Sequence, residues 1–183
     1  MKKLISLMVL IVGIVYVVSN LLAADAQYVG TAKCKMCHMS KKRGNQYGVW
    51  KSNKHADAFN VLATEEAKAV AKKAGIEGNP QEAVKCLKCH VTAYEAPASA
   101  KASTLTLEEG VGCEACHGPG SLYKSIKVMK ALTAGTQDAE AVAFQEGGDE
   151  ANCKKCHNEE SPTFKALDFA EALKLIAHPV PEK

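Results

Sequence analysis

The chain has 183 residues, 23 of them basic and 20 acidic, and a formal charge of +3. That length fits one domain, and so small a positive excess does not make a nucleic-acid-binding surface. Aromatic residues are only 5% of the chain, too few to build an ordinary core of rings.

The N-terminus reads as an export signal. Lys2 and Lys3 precede an apolar run from Leu4 to Val18, broken only by Ser6 and Gly13. Ala24-Asp25-Ala26 has small residues at both key positions of a cleavage site. The expected division is therefore a Sec signal peptide over residues 1–26 and a mature domain over residues 27–183. The competing reading is an uncleaved anchor, because Leu4 to Ala24 is about 20 residues and just spans a bilayer. Membrane contact is expected only in that case, and in both the rest of the chain works in the periplasm or beyond.

Helices and loops follow, with no convincing strand. Thr64 caps a helix whose first turn carries Glu65 and Glu66, and Lys72 and Lys73 close it before Gly75, as the helix dipole favours. Asn79-Pro80-Gln81-Glu82 reads as a second helix start, with Pro at the first helical position. That helix is expected to continue through Cys86. Pro97 to Thr106 is rich in Ala, Ser and Thr and reads as a loop. Ser121 is the expected cap of a helix carrying Leu122, Ile126, Met129 and Leu132 and ending at Gly135. Asp168 to Glu171 has capping-box spacing and opens a last helix ending near His178-Pro179.

One pentapeptide, C-x-x-C-H, occurs four times. It spans Cys34, Cys37 and His38; Cys86, Cys89 and His90; Cys113, Cys116 and His117; and Cys153, Cys156 and His157. All eight cysteines fall in these motifs. The pattern is the attachment site of a c-type haem: two thiols bond to the porphyrin vinyl groups and the next residue, His, binds the iron. Zinc ribbons also use C-x-x-C pairs, and a thioredoxin-like site uses one. Neither needs a His directly after the second Cys, and a disulfide scaffold has no reason for one. The unequal spacings describe a repeated cofactor site, not a solenoid. Four covalent haem c groups are expected, attached through the eight cysteines.

Four porphyrins cannot be enclosed in a separate core by 157 mature residues. The haems themselves must form most of the core, under a thin wrap of helices. The predicted fold class is therefore mainly α, a small helical multihaem cytochrome with few or no strands. Cleavage before Gln27 leaves 21 basic and 19 acidic residues. About eight propionates offset these, and each oxidised centre returns about one positive charge, so the holoprotein is near neutral or mildly acidic. No nucleic-acid partner is expected.

Eight axial positions face six histidines. His38, His90, His117 and His157 take the proximal positions, which leaves His55 and His178. At most two haems can be bis-His from this chain. Haem iron also accepts Met. Met36 and Met39 adjoin their own motif and cannot reach the far face of its ring. Met129 is the best thioether candidate, and packing in the apolar stripe with Leu122 and Ile126 is the competing reading.

Tyr28-Val29-Gly30 before the first motif, then Trp50-Lys51-Ser52-Asn53-Lys54-His55-Ala56, resemble the opening of the tetrahaem cytochrome c-554 family. Gly110-Val111-Gly112, running into the third motif and on through Gly118-Pro119-Gly120-Ser121, is similar to that family's third haem site. The resemblance implies a mainly helical electron carrier with haems in stacked and angled pairs. It implies three bis-His haems and one five-coordinate haem. It also implies that His55 reaches a different haem from its neighbouring motif's, the third being favoured; His178 is not assigned to a particular haem, the first or fourth being favoured over the second. This chain has one distal His fewer than that pattern, and Met129 is the candidate replacement.

The expected function is electron transfer between respiratory redox proteins through closely packed haems. The alternative is an enzyme acting on a small nitrogen or sulfur compound at an open iron, for which no spare His or evident acid/base group exists. A conductive filament is a third reading. Donation of ligands between identical subunits leaves the number of His per haem unchanged, which argues against a fully bis-His filament.

Overall fold

The last two residues of the predicted leader are where the computed structural model begins: it describes residues 25–178. The export-signal reading, apart from Asp25 and Ala26, and the Pro179 boundary lie outside the described residues. Among those described, no helix is long and apolar enough to cross a membrane.

Among the described residues eight short α-helices succeed one another: α1 Thr31–His38, α2 Gln46–Lys51, α3 Glu65–Lys73, α4 Val84–His90, α5 Glu114–His117, α6 Ile126–Thr133, α7 Glu150–Lys154 and α8 Phe169–Ile176. Single turns of 3₁₀ helix link several of them. There is no strand among the described residues; one isolated bridge joins Tyr28 and Lys101. The mainly α expectation is met.

Local chemistry explains where the helices start. Thr64 accepts from the Ala67 amide at the head of α3, with Glu65 and Glu66 in its first turn and Lys72 and Lys73 in its last, as predicted. Asp168 accepts from the Glu171 amide at the head of α8, which ends at Ile176. Two boundaries differ from expectation. Asn79 does cap a turn at Pro80–Glu82, but Ala83 is extended, so α4 starts afresh at Val84. The α6 cap is Ser125, which accepts from Val128, not Ser121. Ser121 is used elsewhere, because its hydroxyl accepts from the Gln27 amide at 2.8 Å.

Apolar burial is sparse. Leu62, Leu87 and Val91 form the one cluster of buried apolar residues among those described, with Phe59, Cys86 and Tyr94 against it. Much of the cohesion is instead polar and long-range. The buried carboxylate of Glu114 accepts from Val29 (2.8 Å), Gly30 (2.7 Å) and Gly120 (2.6 Å). Glu109 accepts from the Thr31 amide and hydroxyl and from the Thr106 amide. The Gly110-Val111-Gly112 segment is gripped in the same manner. Trp50 Nε1 donates to the Val111 carbonyl (2.8 Å), the Val111 amide donates to the His55 carbonyl (3.0 Å), and the Gly112 amide donates to Thr92 Oγ1 (2.7 Å). Gly110 has φ +64°, and a Cβ there would meet the His55 carbonyl oxygen at 2.8 Å. Only glycine suits both conditions.

Candidate haem-binding sites

Each motif occupies about one helical turn. Residues i, i+3 and i+4 share a helix face, so the two cysteines and the histidine of C-x-x-C-H point the same way. The first motif fills the end of α1 and the second the end of α4. The third starts at Cys113, just before α5, and the fourth starts within α7 and runs beyond it. In the third and fourth motifs the histidine amide donates to the carbonyl of the first cysteine, at 3.0 Å in each case.

All eight cysteines are free and half-buried. The thiols of Cys34 and Cys113 are close electrostatic neighbours, as are those of Cys89 and Cys156. The neighbouring Cys113 thiol, then burial, pushes the Cys34 thiol far up. Burial first and Cys89 second push Cys156 up to about 12. Cys116 and Cys153 are electrostatic neighbours. The first motif thus adjoins the third, the second adjoins the fourth, and the third adjoins the fourth. The cysteines do not converge as metal ligands would: no group of three or more His, Cys, Asp or Glu among the described residues could hold a bare ion.

Three motif histidines have their Nδ1 already engaged. His38 Nδ1 meets Gln46 Oε1 at 3.3 Å, His90 Nδ1 meets the Ala58 carbonyl at 2.6 Å, and His117 Nδ1 meets the Gln145 carbonyl at 2.9 Å. Such a partner fixes the tautomer with the proton on Nδ1 and leaves Nε2 for a metal. The donor set therefore fits covalently held haem: paired thiols and one oriented imidazole at each of three sites. The fourth site has the thiols and His157.

The two remaining histidines each face one motif histidine. His55 and His157 have ring centroids 6.1 Å apart, and His178 and His117 have theirs 5.8 Å apart. Two imidazoles on opposite sides of one metal, each nitrogen about 2 Å from it, put their centroids roughly 6 Å apart. Burial, then the neighbouring ring, holds both His55 and His178 below the ordinary imidazole range. Neutral imidazole is the form that binds metal. The resemblance pointed His55 at the third motif, while His178 had no assigned haem, the first or fourth being favoured over the second. The structure instead sets the His55 ring against the fourth motif histidine and the His178 ring against the third.

Met129 is half-buried on α6 beside Val128 and Leu132. Among the described residues no side-chain bond or ring contact joins it to a motif histidine. Met36 and Met39 are exposed, at 84% and 53%. Sequence reasoning did not single out Glu109, Glu114 or Gln46. The one available signal was Glu114, an acid placed between two attachment cysteines.

Four attachment sites of this kind on a mainly helical scaffold define a multihaem c-type cytochrome. A family model described as cytochrome c554 and c-prime matches residues 33–118. Cytochrome c-554 of Nitrosomonas europaea is 35% identical over 107 residues, covering 56% of this chain and 43% of that protein. The matched part is thus less than half the length of that relative. The reduced-state structure of cytochrome c554 from Nitrosomonas europaea superposes with a TM-score of 0.54 at 26% identity, covering 82% of this chain and 83% of the other. Just under half of the chain thus matches the cytochrome c554 family model, and the chain is similar to cytochrome c-554 in sequence and in fold.

Proposed function

We propose that the protein is a periplasmic tetrahaem electron carrier. Residues 1–26 form a Sec signal, and residues 27–183 hold four haems through the eight motif cysteines. A bound haem supplies one-electron iron redox chemistry, with a potential that its axial ligands set. The protein's task is to fix the spacing between centres, since tunnelling rates fall exponentially with distance.

The observation that carries this reading is the contact between motifs. Cys34 meets Cys113, and Cys89 meets Cys156. Cys116 neighbours Cys153. These three contacts link all four attachment sites in the order first, third, fourth, second. Porphyrins rooted at those cysteines are held close together without any further device.

The ring pairs support a ligand assignment. His157 and His55 would hold one iron, and His117 and His178 another. His38 and His90 would hold the remaining two, with no further His beside them. Met129 packs in the α6 stripe. The two unpaired motif histidines favour a second reading, small-molecule chemistry at an open iron. Nitric oxide binding accompanied by substrate turnover would select that reading; binding without turnover keeps the carrier. Redox proteins of a respiratory chain are the partners in the first case.

Mass spectrometry and EPR of protein from the periplasm test the proposal. The expected mass is the polypeptide from Gln27 plus four haems, and the expected spectrum has two low-spin bis-His centres. Zinc with no haem absorbance would end it.

A further inference from the structure

The cations of the chain are unevenly placed. Between Thr31 and Ala56 there are seven basic residues and no acid. Five of them, Lys33, Lys35, Lys41, Lys42 and Arg43, lie on α1 or on the 3₁₀ turn just after it, and all five are exposed. None of the five is in an ion pair among the described residues. The four ion pairs found there use Lys68, Lys88, Lys154 and Lys174 instead. The two acids near the head of α1, Glu109 and Glu114, are turned inward onto backbone amides. Two large apolar side chains stand among these cations: Met36, 84% exposed, and Met39, 53% exposed.

The geometry of α1 explains the arrangement. At about 100° per residue, Cys34, Cys37 and His38 share one face, while Met36 and Met39 lie on the opposite face. Lys33 and Lys35 flank that stripe on either side. A group attached to the cysteines therefore leaves the methionines outside. The following turn is kept in place by backbone bonds from Arg43 to Ser40 (2.9 Å) and from Gly44 to Lys41 (3.1 Å). The Gln46 side chain spans from the His38 ring to the Arg43 carbonyl. The basic turn is thus fastened to the first iron-binding residue.

We propose that this face is the docking surface for an acidic redox protein, which exchanges electrons with the first haem across α1. The inference rests on the tetrahaem reading above. An apolar centre with a charged rim is the usual anatomy of an association surface, and unpaired rim cations act chiefly on encounter rate and its salt dependence. Thioethers adapt to more than one partner surface. The span from the methionine stripe to the haem face is one helix, about 10 Å.

Stopped-flow reduction of the purified four-haem protein by flavodoxin hydroquinone, an acidic redox protein, tests the surface. One electron leaves the flavodoxin as one ferric haem becomes ferrous. The wild-type rate should fall at least about tenfold as salt is raised. The triple variant Lys41→Glu/Lys42→Glu/Arg43→Glu should lose at least about tenfold at low salt and no longer slow down with added salt. Its absorbance spectrum and its reduction by neutral lumiflavin semiquinone, a one-electron donor, should be unchanged. The control, Lys68→Glu/Lys72→Glu/Lys73→Glu on α3, makes the same charge change and should alter the rate less than about twofold. Equal losses in both variants, or none in the first, would overturn the surface while leaving the tetrahaem reading intact. Loss of binding to phosphatidylglycerol vesicles with flavodoxin kinetics unchanged would reassign the patch to a membrane and overturn it as well. Protein without haem overturns both.

Discussion

Residues 29–123 and residues 146–178 carry the same attachment pentapeptide but are held in opposite ways. The first region contains sixteen of the seventeen buried residues of the described chain, from Val29 to Tyr123; the seventeenth is Val142. It is laced by the carboxylates of Glu109 and Glu114 and by Thr92, each accepting from backbone amides far away in sequence. The second region has no buried residue. Side-chain links to the rest are few: Asn152 to the Ala115 carbonyl, Lys88 to Glu160, and Asn53 to the Leu175 carbonyl. One region is braced by its own buried hydrogen bonds; the other has few such braces.

The largest effect expected from this contrast comes from removing the fourth attachment site. Cys153→Ser/Cys156→Ser should leave three haems by mass. Limited proteolysis should then cut within residues 146–178 at least about tenfold faster, while residues 29–123 keep their protection. Equal sensitivity of both regions would erase the distinction.

Next comes the brace of the first region. Glu114→Ala leaves the amides of Val29, Gly30 and Gly120 without their acceptor, at a cost of about 3 kcal/mol in urea unfolding. Burial pushes the Glu114 carboxyl above its ordinary range despite those three amides. A raised carboxyl pKa means that the folded state takes up the proton more readily than the unfolded one. Its contribution is therefore greatest at low pH and is lost as pH rises through the folded value. Glu114→Gln keeps one acceptor oxygen but turns its NH2 onto a backbone N–H, because Val29, Gly30 and Gly120 donate to both carboxylate oxygens, so it should cost about 1–3 kcal/mol at pH 7. A change too small to measure would show that one acceptor oxygen is enough for the brace.

His55→Ala links the two regions and should act on one centre only. Four haems remain attached, one low-spin signal is replaced by a high-spin one in EPR, and the affected haem is the fourth. His178→Ala should do the same to the third. An unchanged spectrum would make either residue an ordinary side chain. Met129→Leu should leave every spectroscopic feature in place, and disappearance of a near-infrared Met-to-iron band would instead make Met129 a ligand.

The smallest effect belongs to the ion pair across the divide. Lys88 and Glu160 lie at the surface, where such pairs contribute little. Lys88→Ala should leave the unfolding midpoint and the proteolysis pattern unchanged. A marked rise in cleavage near Glu160 would show that the pair anchors the second region.

Helix α3 was legible because its caps and charges are local: Thr64, Glu65, Glu66, Lys72 and Lys73 act within their own turns. The α6 start was misplaced for the converse reason. Ser121 and Ser125 are equally good caps by type, and only the Gln27 amide, 94 residues away in sequence, decides that Ser121 is engaged elsewhere. Glu114 could not be assigned a role in advance, since an acid within an attachment motif looks like any exposed helix residue. Its burial follows from the approach of Val29 and Gly30.

The sequence by itself determined the number of C-x-x-C-H motifs, the helical class and the count of only two histidines outside those motifs, because each follows from residue type and short-range spacing. Tertiary structure alone decided which motifs adjoin and which spare histidine faces which motif. His55 and His178 carry identical rings, and nothing in their local sequence distinguishes one target from another. The choice is made by long-range backbone bonds such as Val111 to His55 and by the packing that brings α8 to the third site.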